Sequence, residues 1–210
     1  MARVRVHQHI NPLAKYYLEL PIKPLEIEKV FAESKFPLHL DIGCGRGRFL
    51  LEMAKIKKDW NFLGIEIREP LVIEANQIKE REGLENLHYE FCNATIDLGI
   101  LLEKNPDNIL QLVTIQFPDP CFKKKHAKRR MVKDELVENV VEKLAFGGKV
   151  FIQTDVEFLA EEMFELFEQN ELLRRIEIKE NILPVKTERE NSVENRNLPV
   201  FRSLFEKYKG

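Results

Sequence analysis

The stretch LHLDIGCGRGRFL, residues 38–50, decides the fold. Its first residues, LHLDI, are typical of a short buried strand, and from Phe49 to Ile56 apolar side chains recur at helical spacing. The glycine-rich turn DIGCGRG, residues 41–47, joins the two elements. A strand that enters a helix through such a turn is the first unit of a doubly wound α/β domain, in which ligands bind at the carboxyl ends of the strands.

Strand and helix patterns alternate through the rest of the chain. Further strands are predicted at residues 61–67, 87–92, 110–117, 149–155, 175–182 and 200–208. Further helices are predicted at residues 25–34, 71–81 (capped by Gly83), 98–104, 132–144 (ended by Gly147-Gly148) and 156–169. The last two strands have no long helix between them, which indicates an antiparallel pair at the sheet edge. The fold class is therefore α/β: a mostly parallel seven-stranded sheet with an antiparallel edge strand and helices on both faces.

The bulk composition indicates one globular domain. With 210 residues, the chain is predicted to form a single domain, in which residues 1–37 are an N-terminal extension that packs on or near the candidate active site. The three cysteines are scattered and form no C-x-x-C pair, so we expect neither disulfides nor a metal site. The start lacks the apolar core of a signal peptide, and no apolar run approaches the ~20 residues that cross a bilayer. We therefore expect a cytoplasmic protein without membrane contact.

The glycine-rich turn is suited to a nucleoside that carries no phosphate. Gly43 and Gly45 let the backbone approach a ligand closely. Glu66 ends the next strand, about 20 residues on, where a carboxylate can bind two ribose hydroxyls. The third glycine lies one residue earlier than in the dinucleotide fingerprint, so S-adenosylmethionine fits better than NAD(P). Asp41 would lie near its ammonium group and Asn93 near its adenine; a tight turn that binds nothing is the alternative.

The loop FPDP, residues 117–120, follows the nearly all-apolar run LQLVTIQF, which predicts a central strand covered on both faces. The substrate should meet the cofactor at the carboxyl end of that strand. Pro118 and Pro120 fix φ on both sides of Asp119, so its carboxylate is presented with little backbone freedom. Asp119 is thus the candidate catalytic residue, and an ordinary surface turn is the alternative.

A basic run follows the FPDP loop. Although the net charge of the chain is −2, six positive charges fall within eight residues that contain no acid: Lys123, Lys124, Lys125, Lys128, Arg129 and Arg130. Such segregation indicates a local anionic partner, because these charges otherwise repel one another. We expect contacts to the phosphates of a nucleic acid rather than to its bases; a solvated charged surface is the alternative.

Three segments, DIGCGRGRFL, FLGIEIR and QFPDPCFKKKHAKRR, resemble in order and spacing the bacterial tRNA (guanine-N7)-methyltransferase family. RVHQHINP near the start, the Thr-Asp pair at 154–155 and TERE at 187–190 are similar to further motifs of that family, so the likeness covers nearly the whole chain. The resemblance implies a Rossmann-like class I methyltransferase. It also implies methyl transfer from S-adenosylmethionine to N7 of a guanosine in the variable loop of tRNA.

The resemblance also implies roles for individual residues. Cofactor contacts are expected at Asp41, Glu66, Asn93 and Asp119, beside Gly43 and Gly45 of the turn. Substrate contacts are expected at Lys123, Asp155, Thr187 and Glu190. The RNA backbone would be held by Lys124, Lys125, Lys128, Arg129 and Arg130. Three positions depart from the family pattern: Asn93 where an aspartate is frequent, Cys121-Phe122 where a tryptophan is usual, and TERE for TKFE.

Other functions are compatible with parts of the pattern. Amino-methyltransferases of this fold have an Asn/Asp-Pro-Pro-aromatic loop, which residues 119–122 miss because the second proline is absent. An NAD(P)-dependent oxidoreductase and a non-catalytic RNA-binding module of the same fold are further alternatives. The sequence leaves open whether the protein is a monomer or a homodimer and which tRNAs it modifies.

Overall fold

The computed structural model describes residues 10–106 and 108–209. The seven strands are β1 Leu38–Ile42, β2 Asn61–Glu66, β3 Leu87–Phe91, β4 Leu110–Gln116, β5 Leu144–Thr154, β6 Leu173–Ile176 and β7 Phe201–Lys207. The helices are α1 Lys15–Leu18, α2 Ile27–Val30, α3 Arg48–Ile56, α4 Glu69–Arg81, α5 Ala94–Leu101, α6 Asp134–Lys143, α7 Glu157–Glu168 and α8 Glu188–Glu194. A 3₁₀ helix spans Lys124–Arg129. Of the N-terminal motif RVHQHINP, the part before Ile10 lies outside the described residues.

The strands form one sheet in the order β3-β2-β1-β4-β5-β7-β6. The first five of these are parallel, and β7 runs antiparallel to both β5 and β6. The predicted α/β class, the seven strands and the antiparallel pair at the edge are thereby confirmed. The strand order reverses between β1 and β4, and a crevice opens outside the carboxyl ends of strands at such a switch point.

Two apolar clusters cover the two faces of the sheet. In β2, Phe62 packs with α3 and α4 in one cluster, whereas its neighbour Leu63 belongs to the other. Successive side chains of a strand point to opposite faces, so α3 and α4 lie on one face and α5, α6 and α7 on the other. Every residue of β1 and β2 is buried, as expected for strands covered on both sides. Among the described residues, no helix is long and apolar enough to cross a membrane.

Several predicted element boundaries were wrong. The helix before β1 has four residues instead of ten, because Phe31 is already extended. Ile56, predicted to face the core, ends α3 and is 57% exposed. Helix α6 ends at Lys143, and Gly147-Gly148 lie within β5, near a shift in its register with β4. Gly83 caps α4 as predicted, with φ +64° and its N–H donating to the Glu80 carbonyl at 3.1 Å.

Gly47 fixes the turn between β1 and α3. It has φ +71°, and its carbonyl accepts a 2.5 Å hydrogen bond from the hydroxyl of Tyr89, a buried residue of β3. A Cβ at Gly47 would lie 2.7 Å from Tyr89 Oη and closer still to the ring carbons. The turn therefore requires glycine for two reasons, the left-handed backbone and the close approach of the ring.

We expect Gly47→Ala to lower the free energy of unfolding by about 3 kcal/mol, because backbone strain adds to the clash with Tyr89. Gly83→Ala is the matched control, since Gly83 has a similar φ but open space around it. That control should lose only about 1 kcal/mol in urea unfolding. Equal losses in the two variants would show that the contact with Tyr89 contributes nothing.

Candidate active site

Two adjoining cavities open at the switch point. The small cavity, of about 170 Å³, is lined among others by Ile10, Pro12, Gly43, Ile65, Glu66, Asn93, Arg129 and Met131. The large cleft, of about 600 Å³, is lined among others by Asp41, Cys44, Arg48, Phe122, Asp155, Thr187 and Arg189. Both are bounded by Gly43, Arg68 and the segment from Gln116 to Asp119. The FPDP loop thus borders both cavities. Of the residues predicted to bind a cofactor, Glu66 and Asn93 line the small cavity, whereas Asp41 lines the large cleft together with the predicted substrate residues Asp155 and Thr187.

Asp41 is the penultimate residue of β1, and its carboxylate is buried. Its Oδ1 accepts a hydrogen bond from the Thr114 hydroxyl at 2.6 Å and a longer one from the Gln116 amide at 3.4 Å. Both donors are neutral, and burial raises the pKa of the Asp41 carboxyl to about 6. Asp41 therefore stands in the large cleft as a carboxylate that a cationic ligand group would stabilise.

Glu66 ends β2 at the wall of the small cavity, and Arg68 covers it. Glu66 Oε1 accepts hydrogen bonds from the backbone N–H and Nε of Arg68, at 3.0 and 2.9 Å. Glu66 Oε2 accepts from the Gly45 N–H at 2.9 Å and from Arg68 Nη2 at 2.8 Å. Each carboxylate oxygen already has two donors, so a ribose would have to displace part of the Arg68 guanidinium. Through its N–H, Gly45 helps to hold the Glu66 carboxylate in place.

Asn93 follows β3 in the small cavity and is buried. Its Nδ2 donates a 3.0 Å hydrogen bond to the carbonyl of Pro12, which also lines the cavity. The segment before β1 therefore contacts the loop after β3 at this point. The remaining walls are largely apolar and include Ile65 and Met131. An apolar pocket with a few polar groups at its rim is suited to a planar heterocycle.

A chain of hydrogen bonds runs behind both cavities. Gln116, which bonds to Asp41, accepts from Gln153 Nε2 at 2.8 Å. The same Gln153 amide donates to Glu190 at 3.0 Å. We call the four residues Asp41, Gln116, Gln153 and Glu190 the polar chain. It links the carboxyl ends of β1, β4 and β5 to the first turn of α8.

Glu190 lies in the polar chain and not among the residues that line the cleft, and its predicted contact with substrate stays a prediction. Its side chain is fully buried and accepts hydrogen bonds from Asn181, Gln153 and Arg202. Its backbone N–H donates to the Thr187 hydroxyl at 3.1 Å, which caps α8. Glu190 therefore holds Thr187 at the wall of the large cleft, and the predicted contact of Thr187 with substrate stays a prediction.

The FPDP loop is held in a strained conformation. Phe117 and Cys121 have φ of +51° and +46°, a region that few residues other than glycine adopt. The Phe117 N–H donates to the Gln153 carbonyl at 2.8 Å, and the Cys121 N–H donates to Asp119 Oδ1 at 3.0 Å. Asp119 borders both cavities, as predicted. Asp155 lies across the large cleft and pairs with Arg189.

The basic run divides into two groups. Lys123, Lys124, Lys125 and Lys128 are exposed, as phosphate contacts must be. Arg129 borders the small cavity. Arg130 pairs with Glu162 and donates to the Pro120 carbonyl at 3.1 Å. The Arg130 guanidinium therefore fixes the FPDP loop to α7, and its predicted contact with the RNA backbone stays a prediction.

Sequence reasoning missed Arg68, Gln116 and Gln153. The signal for the two glutamines is present, since Gln116 is the last residue of β4 and Gln153 the second last of β5, and each follows apolar neighbours. Arg68 was quoted within the motif FLGIEIR without a role. Its position two residues after Glu66 is compatible with the observed bidentate contact but does not require it.

Asp41→Asn should stabilise the ligand-free protein most above pH 7. The folded-state pKa of about 6 exceeds the ordinary value of 3.8, so ionising Asp41 costs folding free energy. That cost is complete above about pH 7, shrinks as the pH falls through 6, and vanishes below about pH 4. We expect the variant to gain about 1–3 kcal/mol at pH 8 and nothing at pH 4 in urea unfolding.

The control is Asp59→Asn, which removes an exposed carboxylate from the same chain. Its effect on unfolding should be small and should not follow this pH profile. A gain from Asp41→Asn that is equal at pH 4 and pH 8 would contradict the assignment of a raised pKa.

Comparison with known proteins places the chain in a family. A family model described as "Putative methyltransferase" matches residues 35–203. The tRNA (guanine-N(7)-)-methyltransferase of Trichormus variabilis is 56% identical over 208 residues, covering 97% of this chain and 96% of the relative. The enzyme of the same name from Synechococcus elongatus is 51% identical, covering 98% and 97%.

A solved rRNA methylase from Streptococcus thermophilus matches with a TM-score of 0.52 at 15% identity, over 87% of this chain and 92% of that one. At this identity the match shows a shared fold. The Trichormus variabilis and Synechococcus elongatus enzymes share half or more of their residues with this chain over nearly their full length. The chain therefore belongs to the tRNA (guanine-N(7)-)-methyltransferase family.

Proposed function

We propose that this protein transfers a methyl group from S-adenosylmethionine to N7 of a guanosine in tRNA, in the variable loop, and that residues 1–210 form one catalytic domain. Family membership supports the reaction. The structural observation that best supports this reaction is that Asp119 borders both the small cavity and the large cleft, a few residues before the exposed lysines of the basic run. Of the N-terminal extension, the described segment around Pro12 would close the small cavity, since Asn93 donates a hydrogen bond to the Pro12 carbonyl.

The residues at the switch point fit S-adenosylmethionine. Asp41, which accepts hydrogen bonds from the neutral side chains of Thr114 and Gln116, would bind the ammonium group of the amino-acid end. Glu66 would bind the ribose hydroxyls once part of the Arg68 guanidinium moves aside. Asn93 and the apolar walls of the small cavity would hold the adenine. When bound, the cofactor supplies an electrophilic methyl group on a sulfonium sulfur.

The nucleophile requires positioning more than activation. Guanine N7 has an in-plane lone pair and carries no proton, so no general base is needed. Burial raises the pKa of the Cys44 and Cys121 thiols, so neither would be a thiolate at neutral pH. The contribution of the protein is therefore to hold N7 in line with the methyl group and to exclude other orientations.

Asp119 would stabilise the developing charge. Methylation at N7 makes the guanine ring cationic, and a carboxylate nearby lowers the energy of that state. The same carboxylate can accept hydrogen bonds from N1–H and the amino group of guanine. Its Oδ1 is oriented by the Cys121 N–H, and the strained FPDP loop limits its movement. Asp155, across the large cleft, would share the contact with guanine.

The tRNA must present its guanine outside the base stack. Enzymes that modify a base usually turn it out of the helix, which costs a few kcal/mol. Contacts to the flanking phosphates would offset this cost, and they are available to Lys123, Lys124, Lys125 and Lys128, which are exposed and follow the cleft residue Phe122 in the chain.

Wild-type protein incubated with unmodified tRNA and S-adenosylmethionine should yield 7-methylguanosine by nucleoside mass spectrometry. Asp119→Asn should lower the turnover number about 100-fold or more, because it keeps the oxygen that bonds to Cys121 but removes the charge. Cofactor binding, measured by calorimetry, should persist in this variant. Glu188→Gln is the control, since Glu188 lines the same cleft and pairs with Arg48. A different methylated nucleoside, or full activity of Asp119→Asn, would refute the proposal.

Replacing Lys124, Lys125 and Lys128 together by glutamine should weaken tRNA binding and reduce the salt slope of log affinity by about 2, because fewer counterions are released. The control replaces Lys35, Lys58 and Lys104, three exposed lysines that precede parallel strands and so lie at the opposite end of the sheet. Fluorescence anisotropy at several salt concentrations measures both quantities. Identical slopes in the two triple variants would exclude the basic run as the phosphate contact.

A further inference from the structure

Phe122 is an exposed aromatic ring at the wall of the large cleft. It is 70% exposed, more than any other large apolar side chain in the described part of the chain. It follows the FPDP loop by two residues and lines the cleft together with Asp119 and Asp155. Leaving a phenylalanine in water forfeits the hydrophobic gain of burial. Its position next to the proposed reaction centre indicates that a ligand covers it.

The Phe122 ring packs against other side chains on one side. Phe158 of α7 packs edge-to-face against Phe122, with centroids 6.0 Å apart and an interplanar angle of 67°. The Arg130 guanidinium lies 5.0 Å from the Phe158 centroid and is itself bonded to Glu162 and the Pro120 carbonyl. An edge-to-face neighbour leaves ring surface exposed to other contacts. The support on one side therefore fixes the ring without covering it.

The local backbone also determines where the ring points. Cys121 has φ +46°, and its N–H bonds to Asp119, so the residue before Phe122 is held in an unusual conformation. Such strain persists only where the surroundings impose it. The turn that orients the Asp119 carboxylate thus also fixes the backbone from which Phe122 extends, and both side chains line the large cleft.

The charge around the ring identifies the class of ligand. Phe122 is followed at once by three exposed lysines, and the chain contains no acid between Asp119 and Asp134. An apolar ring beside several cations matches a ligand with flat π-faces and anionic links, which is single-stranded nucleic acid. A protein surface would instead have to supply matching acids and an apolar patch.

We propose that Phe122 is a stacking platform for an unpaired nucleobase of tRNA, next to the guanosine that enters the cleft. This rests on the proposed function, because it assigns a second contact with the same substrate. Turning a guanosine out of its stack exposes the face of the neighbouring base. Stacking that face on Phe122 would offset part of the loss, and it requires no particular base because every base has a π-face.

Phe122→Ala should weaken tRNA affinity about tenfold, while the separate variant Phe122→Tyr, which keeps an aromatic ring, should retain the wild-type affinity. The salt slope should stay unchanged, because stacking releases no counterions, unlike the lysine contacts. The matched control is Phe146→Ala, since Phe146 is also exposed, at 66%, but lies in the first residues of β5, away from the cleft. Unchanged affinity of Phe122→Ala, or a loss equal to that of Phe146→Ala, would overturn the proposal.

A tryptophan at position 122 would report directly whether tRNA covers this side chain. In a Trp60→Phe background, Phe122→Trp provides the single tryptophan, whose emission should be quenched and protected from acrylamide when tRNA binds. Persistent acrylamide access in the complex would overturn the proposal. So would a Phe122→Ala variant whose oligomeric state changes in light scattering while its tRNA affinity does not, since this would assign the ring to a protein contact.

These outcomes are separable from failure of the proposed function. The formation of 7-methylguanosine by the wild-type protein tests the reaction itself and does not depend on Phe122. If the wild type forms this product and Phe122→Ala binds tRNA normally, the stacking platform is excluded while the proposed function stands.

Discussion

The arrangement of the site depends on the hydrogen bonds that the buried carboxylate of Asp41 accepts. This carboxylate lies where β1 meets the glycine-rich turn, and it is bonded to Thr114 and Gln116 of the neighbouring strand. Through Gln153 the same set of bonds reaches Glu190 at the start of α8. The polar chain thus connects the turn proposed to bind the cofactor with the wall of the cleft proposed to bind the tRNA. A shift at either end must be accommodated by buried hydrogen bonds, which are costly to leave unpaired.

The three buried acids near the site are compensated in different ways. Glu66 has the guanidinium of Arg68, and Glu190 has that of Arg202. Asp41 is bonded by neutral side chains, and accordingly the pKa of its carboxyl is raised to about 6. A buried carboxylate without a cation is unfavourable in the free protein and is relieved by a cationic ligand. The structure therefore places its unfavourable charge where the proposed ligand carries a positive one.

Strain is concentrated in the loop that separates the two cavities. Phe117 and Cys121 both adopt left-handed backbone conformations, and the loop is bonded to Gln153 at one end and to Arg130 at the other. Arg130 of the basic run thus has a structural contact within the protein. This fixation explains how one short loop can present a carboxylate and an aromatic ring to the same cleft.

The sequence by itself determined the alternation of the main strands and helices, the glycine-rich turn, and the places of Asp41, Glu66 and Asp119 at or just after strand ends, whereas the short helices α1 and α8 were not predicted. These features follow from periodicity and from spacing along the chain, which report local geometry directly. Only the tertiary structure decided that Glu190 is buried and that Arg130 fixes a loop. Both outcomes depend on partners far away in sequence, such as Arg202 for the former and Glu162 for the latter. A local pattern shows which face of an element a side chain occupies, but the packing of other elements decides which partner meets it.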